Sequence, residues 1–335
     1  MADSIRRDAI ARRGGPGAQR GVALLMVLMF FAFLSAIAVR LSVNHSLLIA
    51  QGQNAFSADL ARAYALGAEE LVRQVLYQDF TETGAGVDTL EEIWATAVPP
   101  FEVDEGGYIE IQVRDLQGCF NLNAVGGGDD TAPNREALKR LLMRLGAPEA
   151  LADRIHDWED EDQVVDGFGA ESSDYELSDP PYRAADQLLS SVSELRLMLQ
   201  PGEEDPLRGL EPRVCVLPGD TSLKVNVNTA SAEVLAALVA NADTESLVQF
   251  AASPRTLSSV EDFVSAYPDF GAVASSLRVT SDWFRMDARV EVGGATVILS
   301  SLLRRDGEKG TVEVVGRDYG RAFHTRIRVE TEEAS

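Results

Sequence analysis

A run of 19 residues without a charge, from Gly21 to Val39, constrains this chain more than any other feature of its sequence. About 20 apolar residues in a helix span the hydrocarbon core of a bilayer, because each residue advances the helix by about 1.5 Å. Five arginines and two aspartates precede the run, and a basic flank favours an N-terminus that stays in the cytoplasm. The run therefore predicts a single membrane-spanning helix, with most of the chain on the other side of the membrane.

A cleavable secretory signal peptide is the alternative interpretation of this run, since Ala36-Ile37-Ala38 would make an acceptable cleavage site. The following residues argue against it, because no proline occurs from Leu41 to Asp79 and the composition favours helix. Apolar residues recur there at spacings of three and four, at Tyr64, Ala68, Leu71, Val72, Val75 and Leu76. We therefore predict one helix of nearly sixty residues, roughly 85–90 Å long, that begins in the apolar run.

The rest of the chain is strongly acidic. The whole sequence of 335 residues carries a net charge of −23; residues 1–20 carry +3, so the remainder carries −26. A body of this charge repels phosphate backbones, which excludes nucleic-acid binding. With 45% hydrophobic and 25% charged residues, the composition is that of a globular protein large enough for one or two domains.

Alternating apolar residues predict β-strands on both sides of a helical block. Tyr108–Val113 alternates, and so do the residues from Phe284 to Val292, which a Gly293-Gly294 turn follows. Two further strands are predicted at Ala295–Leu303 and Thr311–Val315. The predicted helices are Leu90–Ala97, Asn134–Leu145, Glu149–Asp157, Val192–Leu199, Ala230–Val239, Glu245–Ala252 and Val260–Ala266. The sequence thus predicts an α+β fold in which a large inserted all-α domain interrupts an antiparallel sheet.

Between Asp157 and Asp179 lies a cluster of ten carboxylates without a lysine or arginine. Its members are Asp157, Glu159, Asp160, Glu161, Asp162, Asp166, Glu171, Asp174, Glu176 and Asp179. Carboxylates on a glycine-containing loop suit Ca²⁺, which takes six to eight oxygen ligands. The segment is not an EF-hand, because Val164 stands at the third ligand position. A solvated acidic loop without a metal is the alternative.

Cys119 and Cys215 are the only cysteines. An oxidising compartment favours a disulfide between them, and two buried unpaired thiols are the alternative. The disulfide would close a loop of about 96 residues and stabilise the fold by about 4–5 kcal/mol on a chain-entropy argument. The sequence contains no serine-hydrolase, zinc-protease, phosphate-loop or dinucleotide-binding motif. We therefore predict that the chain is not an enzyme.

Several segments resemble one protein family. Residues 19–28 look like a type IV prepilin leader, a basic peptide that ends in glycine before a hydrophobic helix. More narrowly, RGVALLMVL (20–28) and ARAYALGAEELVRQ (61–74) are similar to the K-type minor pseudopilins of type II secretion systems, the GspK family. Further matches are DLQGCFNLNAV (115–125), PPYRAADQLLSSVSELRLM (180–198) and LKVNVNTASAEVLAAL (223–238).

The resemblance implies a pilin-like fold with an inserted all-α domain, in five parts. These are a prepilin leader (1–21), a transmembrane and long N-terminal helix (22–80), a first pilin-like part (81–123), the inserted α-domain (124–277) and a second pilin-like part with the β-sheet (278–335). The implied location is the inner membrane, crossed once, with the body in the periplasm. Prepilin peptidase would cut after Gly21, and Val22 would then be methylated.

The implied function is protein secretion, as a subunit that nucleates and caps the tip of the periplasmic pseudopilus with the I-type and J-type minor pseudopilins. Most pilins carry a glutamate five residues past the cut, where this chain has Met26, as K-type subunits do. A subunit without that carboxylate cannot neutralise a neighbour's amine in the hydrocarbon core. That property suits the end of a helical stack.

The resemblance also implies a structural calcium site, because WEDEDQ…GAESSDY is similar to the calcium-carrying stretch of K-type pseudopilins. The matching acidic positions are Asp160, Asp162, Glu171 and Asp174. Two other functions stay open at this point. One is a membrane-anchored periplasmic hydrolase that uses paired carboxylates of the acidic cluster, and the other is a calcium-dependent adhesin of pilin type. Residues 226–231 also resemble helix-hairpin-helix modules, but the glycine hairpin that grips phosphates is missing after Leu238.

Overall fold

The computed structural model describes residues 20–83, 86–96, 99–103, 106–126, 131–200, 202–203 and 207–320. They belong to two compact units, Met1–Ser57 and Ala58–Ser335. Most of the predicted leader, residues 1–19, lies outside the described residues, and so do residues 321–335 of the second pilin-like part.

One helix, α1 (Arg20–Thr83), accounts for all described residues of the first unit and continues into the second. Its 64 residues confirm the prediction of a single long helix. An 18-residue window of this helix has a mean hydropathy of 2.8, and none of that window is buried. Exposed apolar side chains cost free energy in water, so the first unit is suited by length and composition to an apolar environment such as a bilayer.

In the second unit, α1 buries a narrow stripe of small and branched side chains, namely Ala61, Ala65, Ala68, Val72 and Leu76. The spacing of three and four residues is that of one helix face. Leu71 was predicted on this stripe, but its side chain is 51% exposed. The prediction for Leu71 is wrong because neighbouring residues of a helix point about 100° apart, and Val72 occupies the buried face.

The remaining elements of the second unit are short helices and strands. The helices are α2 (Ala132–Arg144), α3 (Ala150–Glu159), α4 (Ser172–Tyr175), α5 (Leu207–Leu210), α6 (Ala232–Leu238), α7 (Thr244–Ala252) and α8 (Val260–Ala266). The strands are β1 (Phe101–Val103), β2 (Gly107–Asp115), β3 (Phe120–Asn121), β4 (Val214–Cys215), β5 (Val225–Asn226), β6 (Leu277–Arg278), β7 (Trp283–Val292), β8 (Ala295–Arg305) and β9 (Val312–Tyr319). Segments of 3₁₀ helix occur at Leu122–Ala124, Val192–Leu197 and Pro268–Ser276.

Five strands form one antiparallel sheet in the order β1-β2-β7-β8-β9. The turn between β7 and β8 uses Gly293 and Gly294, both with positive φ, which a tight hairpin requires. Alternate residues of β2, β7 and β8 face the stripe of α1 and form one hydrophobic core with it. The predicted strands are confirmed; β9 starts at Val312 and continues four residues beyond the predicted end.

The helical block from Phe120 to Leu277 has a second hydrophobic core of its own. It is built from α2, α3, α6, α7 and α8 with their connecting segments, and it also holds two short parallel pairs, β3 with β4 and β5 with β6. Five predicted helices are confirmed to within three residues at each end, while the predicted helix Val192–Leu199 is a 3₁₀ helix over Val192–Leu197. The prediction of a helix at Leu90–Ala97 is wrong, since its described residues form turns.

A third, small cluster lies between the two cores and contains the disulfide. Cys119 and Cys215 are bonded to each other and are packed with Leu116, Leu217 and Trp283. The bond ties the segment after β2 to β4 across a sequence separation of 96 residues. Together the long helix, the antiparallel sheet and the further helices confirm the α+β fold class. The exact domain boundaries stay a prediction.

Candidate metal centre

Helix α3 carries the first carboxylate of the candidate site. Leu151, Ala152 and Ile155 are fully buried and fix one face of this helix in the core of the helical block. Asp153 and Asp157, four residues apart, consequently share another face. Asp160 follows the last helical residue, in extended conformation. The acidic loop 160–171 then returns across this face, and its backbone donates to both aspartates of α3, from Asp166 and Phe168.

Three carboxylates converge where the loop returns. Oxygen atoms of Asp157, Asp160 and Glu171 all lie within 4.8 Å of one another. Asp157 and Glu171 are only 0% and 1% exposed. Within the described residues, neither carboxylate oxygen of Glu171 has a hydrogen-bond partner, and Oδ1 of Asp160 has none either. Buried carboxylates without donors are costly, so these three residues, the acidic triad, fit a bound cation.

Burial and mutual repulsion raise the pKa values in the acidic triad. Burial raises the pKa of Asp157 to about 6, and a hydrogen bond from the Asp166 amide opposes the rise. Burial, together with the negative charges of Asp157, Asp160, Asp162 and Asp186, raises the pKa of Glu171 to about 7. Without a positive charge the triad therefore takes up protons near neutral pH, and a cation would displace them.

Two glycines allow the loop to approach α3 this closely. A Cβ atom at Gly169 would overlap the carboxylate of Asp157, and one at Gly167 would lie 2.7 Å from Oδ2 of Asp153. Gly167 also has a positive φ of 62°. Arg135 pairs with Asp166, and Lys139 pairs with Asp153 at 2.9 Å. The flanking carboxylates are thus neutralised by α2. In the triad, the ion-pair contact among the described residues is from Oδ2 of Asp160 to Nε2 of His156, at 3.8 Å.

The four predicted calcium ligands divide into two pairs. Asp160 and Glu171 belong to the acidic triad. Oδ1 of Asp162 accepts the amide of Val164 at 2.7 Å, and Oδ2 of Asp174 accepts the amide of Glu171 at 3.0 Å. These bonds hold the loop and the start of α4 in place. The complete ligand set stays a prediction.

From the sequence, Asp157 belongs to the acidic cluster but not to the four predicted calcium ligands, and Asp186 is not placed near them. Asp157 lies in the last turn of α3, directly before the acidic loop, and this position in the sequence could have signalled it. Asp186 lies distant in sequence, with a positive φ of 48°, and its charge raises the pKa of Asp160 and Glu171. No local sequence pattern indicates that Asp186 comes close to Asp160 and Glu171.

The residues of the predicted processing site lie at the start of α1. Arg20 and Gly21 are its first two residues, and Val22, the third, is exposed. Met26 is also exposed on this helix.

Comparison with known proteins gives one consistent family. The family model "Type II secretion system (T2SS), protein K" matches residues 118–219 and 225–280. The type II secretion system protein K of Pseudomonas aeruginosa is 36% identical over 323 residues, which cover 92% of this chain and 94% of the relative. The protein K of Klebsiella pneumoniae is 34% identical over 323 residues, covering 90% of this chain and 97% of the relative.

The fold agrees with a solved member. The chain is similar to a chain in the crystal structure of the GspK-GspI-GspJ complex from enterotoxigenic Escherichia coli, with a TM-score of 0.69 and 26% identity. The match covers 79% of this chain and 97% of the solved one. The chain thus has a long apolar helix, a pilin-like sheet and a helical block. It also matches the sequences of its relatives over nearly its whole length. This chain belongs to the type II secretion system protein K family and is a minor pseudopilin.

Proposed function

We propose that this minor pseudopilin nucleates and caps the tip of a periplasmic pseudopilus, in a complex with I-type and J-type minor pseudopilins. The observation that carries the proposal is the likeness to GspK, which was solved together with GspI and GspJ. The helical block adds a bulky second core beside the sheet, and such bulk would obstruct a further subunit above it.

Met26 supports a position at the end of the stack. Filament subunits in a bilayer bury the amine of a neighbour, and an unpaired ammonium there is costly. With methionine at this position the subunit offers no carboxylate to a neighbour's amine. It can therefore end a stack and cannot continue one.

The substitution Met26→Glu tests this position. It should let other subunits follow the chain, so that gold-labelled antibody against the helical block marks positions along overproduced pseudopili as well as their ends. Met26→Gln, of similar size but uncharged, is the matched control and should label ends only. Labelling confined to the ends in both variants would contradict the role of Met26.

The chain is proposed to be processed as a prepilin. Prepilin peptidase would cut between Gly21 and Val22 and methylate Val22, which leaves the apolar part of α1 as an inner-membrane anchor and the body in the periplasm. The basic leader that ends in glycine supports this assignment. The intact mass of the mature protein is the test: a chain starting at methylated Val22 is expected, whereas a chain starting at Val39 would mean a cleaved signal peptide.

We further propose that the acidic triad holds a structural Ca²⁺ ion, with Asp162, Asp174 and Asp186 as further acidic groups around it. Its donors are carboxylate oxygens, which suit this hard cation. Bound calcium would supply the positive charge that fixes loop 160–171 on α3. Terbium, which occupies calcium sites, should luminesce on excitation of Trp158, and Trp158→Phe should abolish the signal without abolishing binding.

A catalytic role for these carboxylates is not favoured. Glycosidases expose two carboxyl groups on either side of a substrate bond, but Asp157 and Glu171 are buried and face each other across less than 4.8 Å. A glycan cannot pass between them. We therefore propose a purely structural subunit.

A further inference from the structure

A buried arginine without a carboxylate partner lies on the wall of a cleft in the second unit. Within the described residues, three arginines are buried, namely Arg154, Arg255 and Arg305. Arg154 pairs with Glu203 at 2.7 Å, and Arg305 pairs with Asp88 at 2.5 Å. No carboxylate in the described part of the chain pairs with Arg255, although this side chain is only 6% exposed. A buried charge without an opposite charge is costly, so the burial of Arg255 needs a compensating group.

Part of the compensation comes from neutral groups of the protein. Arg255 follows α7, and its Nη1 donates to the carbonyls of Val227 at 3.0 Å and Ala230 at 2.6 Å, in the segment between β5 and α6. The guanidinium also lies over the ring of Phe250, with 5.3 Å between Cζ and the ring centre, a favourable contact for a cation. These contacts hold the segment 227–230 in place. They use one nitrogen atom and leave the positive charge without a negative partner.

The other two nitrogen atoms of this guanidinium are available as donors. Nε and Nη2 of Arg255 donate to no group in the part of the chain that the structure describes. Unlike Nε of Arg154 and Nε of Arg305, neither atom is sealed off from solvent. Because Arg255 lines the cleft, we infer that both donors face it. Two neighbouring N–H groups of a guanidinium form the fork that binds a carboxylate through two parallel hydrogen bonds.

The cleft, which we call the Arg255 cleft, has a volume of about 470 Å³, within the range of sites that bind small molecules. It lies between the end of β2, the start of α6 and the last turns of α7. Apolar residues line it beside the guanidinium, among them Leu90, Pro212, Val248 and Ala251. Leu90 is 43% exposed and Val248 is 53% exposed. The cleft can therefore take up an apolar group next to the charge of Arg255.

The other charged residues of the Arg255 cleft are bonded to groups of the protein. They are Arg114, Asp115 and Glu233. Asp115 accepts four hydrogen bonds from neighbouring groups, Glu233 pairs with Arg213 at 3.0 Å, and Arg114 donates to a backbone carbonyl at 3.1 Å. Burial alone lowers the pKa of Arg255, so no neighbouring carboxylate neutralises it, and arginine stays protonated in proteins. An anion that enters the cleft therefore finds a positive charge at Arg255.

The combination of a guanidinium with apolar walls favours one kind of ligand. A carboxylate fits the fork of Nε and Nη2, and an apolar group fits the wall beside it. The last residue of a protein chain carries both groups when its side chain is apolar. Aspartate and glutamate side chains carry a carboxylate without an apolar side chain on the same residue. Capture of a C-terminal carboxylate is also a recurring mode of peptide recognition.

We propose that the Arg255 cleft binds the C-terminal carboxylate of another protein chain that ends in an apolar residue. The carboxylate accepts hydrogen bonds from Nε and Nη2 of Arg255, and the last side chain packs against Leu90 and Val248. Binding supplies the negative charge that the buried guanidinium lacks. No residue of the acidic triad lines this cleft, so the interaction is separate from the candidate metal centre.

Fluorescence anisotropy with the full chain in detergent tests the proposal. The probe is the peptide Ser-Gly-Ala-Leu, labelled at its amine, and it is compared with the same peptide amidated at its C terminus. We expect the free acid to bind at millimolar concentration or below and the amide to bind at least tenfold more weakly, because it cannot form the charged fork. Equal affinities, or no binding of the free acid at millimolar concentration, would overturn the proposal. An amidated peptide Ser-Gly-Glu-Leu that binds as tightly as the free acid would also overturn it, since the carboxylate would then come from a side chain.

Two variants locate the binding site without altering Arg255, whose contacts also support the fold. Val248→Asp places a negative charge on the exposed wall of the Arg255 cleft and should weaken binding of the free-acid peptide at least fivefold. Met143→Asp is the matched control, because Met143 is similarly exposed, at 57%, but lies on α2 and does not line the cleft. It should bind as the wild type does. Equal affinities in both variants would mean that the peptide binds elsewhere and that the proposal is wrong. None of these outcomes depends on the tip position of the subunit.

Discussion

Asp157 is the residue on which the candidate metal centre depends most. It is fully buried on α3, and its carboxylate faces those of Asp160 and Glu171. We predict that Asp157→Asn lowers calcium affinity at least tenfold. A ligand at 100 times its dissociation constant stabilises a fold by about 2.7 kcal/mol, and one at 10 times by about 1.4 kcal/mol, so the calcium-dependent rise in melting temperature should fall by half or more. Glu161→Gln, in the exposed part of the loop, is the matched control and should keep the full rise.

Gly169 gives a steric test of the same site. Its α-carbon stands where a side chain would collide with the Asp157 carboxylate, so Gly169→Ala must displace one or the other. We predict weaker terbium binding in titrations followed by luminescence. Gly67→Ala is the control, since nothing lies within 4 Å of its added methyl group. An unchanged terbium affinity in Gly169→Ala would show that the loop is not held as described.

Some residues of the site could be predicted from the sequence and others could not. Asp160 and Glu171 could be predicted because both lie in one acidic stretch with a family pattern. Asp186 could not, because only the return of the chain brings its charge near Glu171.

At the scale of elements, Glu69 fastens α1 to the sheet. Its buried carboxylate accepts Arg317 of β9 at 2.7 and 2.8 Å and Ser301 of β8 at 2.6 Å. Burial raises the pKa of Glu69, but the hydrogen bonds from Arg317 and Ser301 outweigh it, so the pKa lies below its usual value. The stabilising effect of this carboxylate is therefore present above pH 4.5 and is lost on acidification below its folded pKa.

We predict that Glu69→Gln lowers the free energy of unfolding at pH 7 by about 1–3 kcal/mol, because it breaks a buried charged hydrogen-bond network. Urea unfolding of the full chain in detergent measures the change. Glu70→Gln alters the exposed neighbour and should change stability by less than about 0.5 kcal/mol. Equal losses in both variants would mean that the contacts with β8 and β9 do not fasten the helix.

The regular elements were largely predictable from sequence, and the exceptions have physical causes. β2, β7 and β8 each bury one face, so their apolar residues alternate. Residues 90–96 have helix-forming composition but too few residues to nucleate a stable helix alone, and Trp94 and Ala95 are drawn into the sheet core instead. Val192–Leu197 begins with a capping box formed by Ser191 and Glu194 but closes into the tighter 3₁₀ form.

At the scale of the whole molecule, the disulfide lies in the small cluster between the two hydrophobic cores and ties the segment after β2 to β4. Reduction should lower the free energy of unfolding by about 4–5 kcal/mol, because the bond closes a loop of 96 residues in the unfolded chain. Denaturation with and without a reductant measures this, and a variant with serine at both cysteine positions should not respond to the reductant. A wild type equally stable with and without reductant would contradict the structural role of the bond.

The elements of both hydrophobic cores could be predicted from the sequence. The contacts that join the sheet to the helical block could not. Periodicity identified the long helix, the sheet strands and the helical block, because each element shows its buried face locally. The contacts that hold sheet and block together are instead long-range, and several of them are polar, such as Asn226 with Asp115. Hydrophobic patterns carry no information about such contacts.

The central claim is that this membrane-anchored subunit works in a complex with I-type and J-type minor pseudopilins. Native mass spectrometry of the full chain, extracted in detergent from membranes that also contain the two partners, tests it most directly. We predict one complex with one copy of each subunit, in which this chain begins at methylated Val22. Recovery of the chain alone, with neither partner bound at concentrations where the partners themselves are detected, would contradict the account.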